Sequence, residues 1–269
     1  MMRGILTRLG IVLIVLVAAA ALLAPWLAPH DPLQPHLALR LQKPGGVYLL
    51  GTDELGRCVL SRVLYGARYS LSIGLVCVGL MCVIGLLVGL VSGYAGGILD
   101  AVLMRLVDGV LAFPGILLAL VVVGIWGTGM LQVTLALAMV GWTRYARVVR
   151  SLVLALKTED YVEAARALGY RPIFILWRYI LPGVLPHLMV MATLGLGTVI
   201  LNASGMSFLG LGLEPPTPEW GAMIASGRPH LRTAPHLCLA PGAALTATVM
   251  GAFLIGESIR DRVSIQRHV

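Results

Sequence analysis

Apolar positions along this chain fall in long, nearly unbroken runs, without the strict alternation of a half-buried strand or the one-faced period of a soluble helix. Six runs reach or approach the roughly 20 residues that cross a bilayer as a helix: 9–28, 71–94, 110–126, 131–145, 188–211 and 238–256. The pattern predicts an all-α integral membrane protein with about six transmembrane helices. The first run follows Arg3 and Arg8, as a signal peptide would, but its length and Trp26 near its far end favour a retained anchor. Two proline-rich stretches, "PHDPLQPH" and "EPPTPEWG", read as extended segments outside the spans. No tandem repeat or low-complexity tract is visible.

A shorter pattern precedes the second run. In "LGRCVLSRVLYGARYSL", Leu55, Val59, Leu60, Val63 and Leu64 share one helical face, while Arg57, Ser61 and Arg68 lie elsewhere. This predicts an interfacial helix on the outer leaflet or a loop helix packed on protein.

Composition supports the membrane class. The 269 residues are 58% hydrophobic and 12% charged, with a mean hydropathy of +0.92. A soluble domain carries about twice that charged fraction. The net charge of +8 does not point to nucleic acid, because the arginines form no stripe with interleaved aromatics. They lie between the apolar runs. Arg144, Arg147, Arg150, Lys157, Arg166, Arg171 and Arg178 crowd the gap before the fifth run; Arg260, Arg262 and Arg267 mark the tail. With Arg3 and Arg8, these predict a cytoplasmic location for both termini and for that gap, leaving 29–70 and 212–237 outside. Arg40, Lys43, Arg57, Arg62 and Arg68 in the first outer loop depart from the rule.

The motifs that are missing narrow the chemistry. Neither Lys43 nor Lys157 follows a glycine, so no Walker A loop is present, and no HExxH or GxSxG occurs. Cys58, Cys77, Cys82 and Cys238 lack ligand spacing, and nothing favours a disulfide between Cys58 and Cys238. The outward His30, His36, His230 and His236 have no helical ligand spacing, and no metal site is assigned. Asp100, Arg105, Asp108, His187 and Glu257 fall at or beyond the ends of the runs. The interior is left with Ser, Thr, Asn202, Met and glycines such as Gly85, Gly89, Gly195 and Gly197, which read first as close-packing positions. Asn202, Met206 and Ser207 are candidates for a pathway or a partner-permease interface. A carrier driven by protons or sodium needs an ionisable or carbonyl-rich site near mid-bilayer. Uphill movement here would draw its energy from another subunit.

The segment 159–188 breaks the apolar order. Asp160 is placed to cap a short helix, with Glu163 as reciprocal partner in a capping box. The helix is expected over 161–168, with Gly169 supplying the left-handed stop and Pro172 opening a second helix. Ala164, Ala165 and Ala167 keep it thin. Such a helix suits a groove on a partner, or serves as a connector between spans.

"EAARALGYRPIFILWRYILP" resembles the EAA signature of ABC importer permeases. Glu163, Ala164, Ala165, Gly169, Ile180, Leu181 and Pro182 fall on it, with Arg166 inside it. The resemblance implies a coupling helix that enters a cleft on the ATP-hydrolysing subunit. "LLGTDELGRCVLSRVLYGARYSL" is similar to the GTDxxGRDxxSR segment of dipeptide, oligopeptide and nickel permeases, with Cys58 where an aspartate is usual. "GMSFLGLGLEPPTPEWGAMIASGR" and "LIGESIRDRV" resemble further stretches of the same group. By these motifs the chain is identified as the second of two different permeases that pair in such importers.

The resemblance implies a type I ABC importer permease fold. An N-terminal anchor with an outer-face segment would occupy 1–70, and a permease core 71–269, with its coupling loop at about 150–187. The implied partners are a second homologous permease, two ATP-binding subunits, an extracytoplasmic substrate-binding protein and membrane lipid, with no nucleic acid. The chain itself would be no enzyme and would bind no cofactor, ATP and Mg being held by the partner subunits. A multi-pass position in the bacterial inner membrane follows. The start close to the first run and the stretches "GTGM" and "ASGMSFLGLG" lean towards nickel, carried as a chelate, with dipeptide or oligopeptide import as the alternative. An ATP-independent carrier or channel is the reading from another class.

Overall fold

The computed structural model describes residues 2–265; Arg267 lies outside the described residues, as does the side chain of Arg3. Ten helices follow in order: α1 Met2–Leu27, α2 Val59–Ala95, α3 Gly97–Leu111, α4 Gly115–Trp126, α5 Met130–Leu156, α6 Asp160–Ala167, α7 Pro172–Ile175, α8 Leu181–Phe208, α9 Trp220–Gly227 and α10 His236–Ile265. One wide π turn, Leu176–Ile180, joins α7 to α8. No strand forms among the described residues.

Four helical stretches are long and apolar enough to cross a membrane: Gly4–Leu27, Val59–Ala95, Pro172–Phe208 and His236–Val263. α3 and α4 add a fifth only if they count as one broken span, because they meet at 86°. α5 has 27 residues but carries Arg144, Arg147 and Arg150 in its second half. Of the about six transmembrane helices expected, four are thus continuous candidate spans, one is the broken pair α3–α4, and the arginine-bearing α5 falls outside that count. The break has a local cause. Pro114 lacks an amide hydrogen and forces the residue before it out of the helical region, so α3 ends at Leu111 and α4 starts after Pro114. Asp100, Arg105 and Asp108 interrupt the apolar run, which hides α3 from a hydropathy reading.

Of the two alternatives for the stretch before the second run, packing on protein holds, as part of a longer helix and not as a separate interfacial one. Residues 59–70 are the first turns of α2, which runs on unbroken to Ala95 and so crosses the 70/71 division. At about 1.5 Å per residue its 37 residues exceed the roughly 30 Å apolar layer. Its first turns are buried in protein. Arg57 Nε donates to Asp53 Oδ2 at 2.7 Å, and Arg62 Nε lies 3.4 Å from the same oxygen. Arg62 Nη1 also donates to the carbonyls of Pro32 and Pro216, at 3.0 and 3.2 Å. Two of the five basic residues that departed from the charge rule are therefore engaged inside the protein, where a buried charge needs its partners.

Glycines set the helix contacts. Gly85, Gly89 and Gly93 recur every four residues on α2 and face α5. A Cβ on Gly85 would sit 2.4 Å from the Cβ of Tyr145, and one on Gly89 2.6 Å from that of Val149. Helices in a membrane gain nothing from leaving water, so close backbone approach and the dispersion contacts it permits hold them together. The same device joins α1 to α10, where Gly10 faces Leu254 and Gly251 faces Ile14. The core fills the space between α2, α4, α5 and α8, with Ile73, Cys77, Val123, Val133, Val149, Val199 and Met206 among its buried members.

The bundle has two distinct ends. At one, residues 28–58 and 209–235 pack over the start of α2 and form a cap. At the other, the C-terminal ends of α2 and α5 meet, Lys157 Nζ donating to the Tyr94 carbonyl at 2.9 Å, and α6 follows after a short turn.

Candidate functional site

α5 stops at Leu156, and the chain turns through Lys157–Glu159 into α6. The N-cap of α6 is Glu159, not Asp160, and no side chain accepts a cap hydrogen bond. The expected capping box is therefore corrected. The amides of Val162 and Glu163 bond instead to the Glu159 carbonyl, at 2.9 and 3.1 Å. Asp160 and Glu163 lie in the first turn, where negative charge faces the positive end of the helix dipole.

The far end of α6 closes as its glycine predicts. Gly169 has φ +80, its amide donates to the Arg166 carbonyl at 3.0 Å, and the Tyr170 amide donates to that of Ala165 at 3.2 Å. These two bonds make a Schellman corner. Pro172 then opens α7.

Val162 and Ala165 are the buried face of α6, one turn apart. Glu163, Ala164, Arg166 and Ala167 are exposed, and so is Gly169. Leu168 at the corner is 76% exposed, and Trp177 is 64% exposed. Partly exposed aromatic rings pack against one another around the turn. Tyr170 stacks on Phe174 with centroids 4.9 Å apart, and Tyr179 lies 6.2 Å from both Phe174 and Tyr161. Partial burial and the Glu159 carboxylate push the Tyr161 hydroxyl pKa up. Sequence reading missed Leu168, Tyr161, Tyr170, Phe174 and Trp177. Their one signal was a cluster of large apolar side chains in an otherwise charged segment.

Ile180, Leu181 and Pro182 act on the backbone. The Leu181 amide reaches back five residues to the Leu176 carbonyl, which widens the helix by one residue. Pro182 has no amide hydrogen, so the usual helical bond at that step is missing in any case. The extra residue has a consequence for packing. Ile175, Ile180, Val184 and Leu188 are spaced five, four and four, and the wide turn places all four on the buried side.

The other predicted residues lie elsewhere. Asn202 is half-buried on α8; Met206 and Ser207 are buried, Met206 in the main core. Ser207 Oγ has no hydrogen-bond partner. All four cysteines are free, so Cys58 and Cys238 are not paired. Cys58 is the N-cap of α2 and gives no cap hydrogen bond. Among the histidines expected to face outward, His30 stacks on Tyr48 at 4.7 Å and His230 Nε2 lies 3.8 Å from Glu54.

At the cap end the "PPTPEWG" stretch is built around a carboxylate. Glu219 is 1% exposed and caps α9, accepting from the amides of Gly221 and Ala222 at 2.9 Å each. It also accepts from Ser204 on α8 at 3.1 Å and Ser70 on α2 at 3.4 Å. Beside it, Trp220 Nε1 donates to the Val63 carbonyl at 3.0 Å. One acid thus ties three helices beneath the cap.

A long apolar bundle, a rigid short helix exposed at one end and a locked cap at the other agree with the sequence comparisons. Residues 85–264 match the family described as binding-protein-dependent transport system inner membrane component. The chain belongs to that family. Residues 6–44 also match the N-terminal transmembrane domain of oligopeptide transport permease C. The chain is 40% identical to the nickel transport system permease protein NikC of Escherichia coli K12, over 95% of this chain and 92% of that protein. It is 39% identical to the dipeptide transport system permease protein DppC of Haemophilus influenzae, over 96% and 89%. It is 41% identical to the glutathione transport system permease protein GsiD of Pectobacterium atrosepticum, over 92% and 83%. The chain is accordingly an ABC importer permease subunit with the type I permease fold. The carrier or channel reading from another class is set aside.

Proposed function

We propose that this permease couples to its ATPase through α6 and admits nickel, carried as a complex with a small chelator. The carrying observation for coupling is the Schellman corner that holds Leu168 out in the open beside Glu163 and Arg166. A helix of this size, rigidly terminated and unpartnered on one face, fits a cleft on another protein. α6 and both termini then face the cytoplasm, and the cap faces the substrate-binding protein. Two ATP-binding subunits and a second, non-identical permease complete the importer; ATP and Mg stay on the ATPases. ATP binding shifts the permease pair between inward- and outward-open states through its differential affinity for them.

The cargo reading rests on the interior. Between the ends of the bundle the buried polar side chains are Ser70, Ser92, Thr134, Thr143, Ser204, Ser207 and Thr248, together with Glu219, whose carboxylate accepts four hydrogen bonds. Spans with so few charged groups offer little to replace the water of a bare divalent ion, whose desolvation would go uncompensated. A chelated ion hides its charge and passes. A short peptide is the second reading, favoured by the dipeptide and glutathione permeases at near-equal identity. Uptake of radioactive nickel by cells expressing the whole importer, with di- and tripeptides as competitors, tests the choice. Loss of nickel uptake on deleting this gene supports the proposal. Unchanged nickel uptake with lost growth on a peptide as sole amino-acid source overturns it.

A further inference from the structure

Four charged side chains near the α6 end take no part in the site described above: Asp100 and Asp108 on α3, Arg147 and Arg150 on α5. They join α3 to α5. Of its 15 residues only Val107 is buried. Ile98, Leu99, Val102 and Leu106 are exposed on its outer side. Leu103, Met104, Val110 and Leu111 are partly buried, so α3 packs on the bundle without the fully buried, glycine-knit contact that joins α2 to α5.

Charge adds a directional contact to this packing. Arg150 donates from Nε and Nη2 to the two carboxylate oxygens of Asp100, at 2.6 Å each. Ser92, near the end of α2, adds a third hydrogen bond to Asp100 Oδ1. Two turns on, Asp108 meets Arg147. The pairs are unequal. Side-chain exposure is 16% for Asp100 and 30% for Arg150, against 57% and 52% for Asp108 and Arg147. A sheltered bidentate pair is strong and directional, whereas an exposed pair contributes about 0–1 kcal/mol. Farther along α5, Lys157 bonds the Tyr94 carbonyl and lies 5.7 Å over the Tyr94 ring.

The end of α2, the start of α3 and the last turns of α5 thus meet in one charged joint. From it α5 runs directly to the turn into α6, and α3 runs to the 86° corner with α4. We propose that Asp100 is a positioning residue for transport, a clasp that carries movement of α6 and α5 to the α3–α4 corner. This rests on the coupling role of α6 proposed above. A purely structural staple would show itself in assembly alone. A clasp shows itself in transport per ATP hydrolysed.

The test uses the whole importer in vesicles, measuring assembly, ATP hydrolysis and uptake together. Asp100→Asn and Arg150→Gln should each assemble and hydrolyse ATP, with uptake per ATP reduced about tenfold, the scale of a typical coupling free energy. The exchange Asp100→Arg with Arg150→Asp should recover most of it. Asp108→Asn, at the exposed pair, should change it less than about twofold. Wild-type uptake per ATP in both single variants overturns the proposal. So does an exchange that restores assembly without restoring uptake per ATP, which also decides the matter if the single variants fail to assemble. Gly169→Val is run in parallel. If it uncouples while the Asp100 variants do not, the clasp alone fails; if it too transports normally, the coupling role of α6 fails with it.

Discussion

The Tyr170 amide donates to the Ala165 carbonyl at 3.2 Å, and that bond is possible only because Gly169 between them has φ +80. No side chain or backbone atom would touch a Cβ added at Gly169. The constraint is conformational. Gly169→Val should cost about 1–3 kcal/mol in the corner, since a β-branched residue resists positive φ. Gly169→Asn should be far milder, because asparagine tolerates that region. Uptake is expected to fall sharply for the valine variant and to stay near wild type for the asparagine variant. Immunoblots of the membrane fraction should show equal amounts of both.

Glu163 caps nothing in this structure, and its exposed carboxylate is available to a partner. Glu163→Gln should therefore leave the melting temperature nearly unchanged, the lost dipole interaction amounting to about 0.3–1 kcal/mol. Uptake and stimulated ATP hydrolysis should fall nonetheless. A variant that melts early but couples normally would reverse the assignment.

Gly89 and Gly79 lie on the same helix but face different surroundings. A Cβ on Gly89 meets Val149 at 2.6 Å, whereas one on Gly79 meets nothing within 4 Å. Gly89→Ala should destabilise the detergent-solubilised protein by about 1–3 kcal/mol through overpacking. Gly79→Ala should be neutral. Thermal unfolding of the two variants side by side checks the contrast.

Glu219 accepts hydrogen bonds from two amides and two serine hydroxyls inside the protein. Glu219→Ala leaves those donors unsatisfied, at a cost of about 1–3 kcal/mol for each donor group that stays buried without a partner. Little protein should accumulate in the membrane. Glu219→Gln keeps one acceptor oxygen and should accumulate to an intermediate level, as read by quantitative immunoblotting.

Sidedness can be read chemically. With Cys58, Cys77, Cys82 and Cys238 replaced by alanine, single cysteines at Thr158 and Thr217 should react with a membrane-impermeant maleimide from opposite faces. Thr158 is exposed beside α6, and Thr217 lies partly exposed in the cap. Labelling of both from one face would contradict the orientation argued from the arginines.

Local chemistry made much of this protein legible in one dimension. Unbroken apolar runs are sufficient for α1, α8 and α10, because a bilayer demands internally satisfied backbone over a fixed length. Gly169 and Pro172 announced the corner of α6, since each acts on its own backbone. The capping box failed on a choice between neighbours. Glu159 and Asp160 are both acidic and adjacent, and where the chain leaves α5 decides which becomes the cap.

The rest depended on groups brought together from afar. Arg57 and Arg62 look like outward surface charges until Asp53, Pro32 and Pro216 close around them. Gly85, Gly89 and Gly93 have a spacing that permits close approach, but only the position of α5 shows what approaches. α3 is hard to read from hydropathy because Asp100 and Asp108 break its run, and only the fold shows that Arg150 and Arg147 stand opposite them. Apolar run length, a glycine stop and a proline start are properties of contiguous backbone, and these were legible in one dimension. Which charges are buried and which helices touch was decided by the tertiary structure, because desolvation and packing energies belong to pairs of groups and not to either one alone.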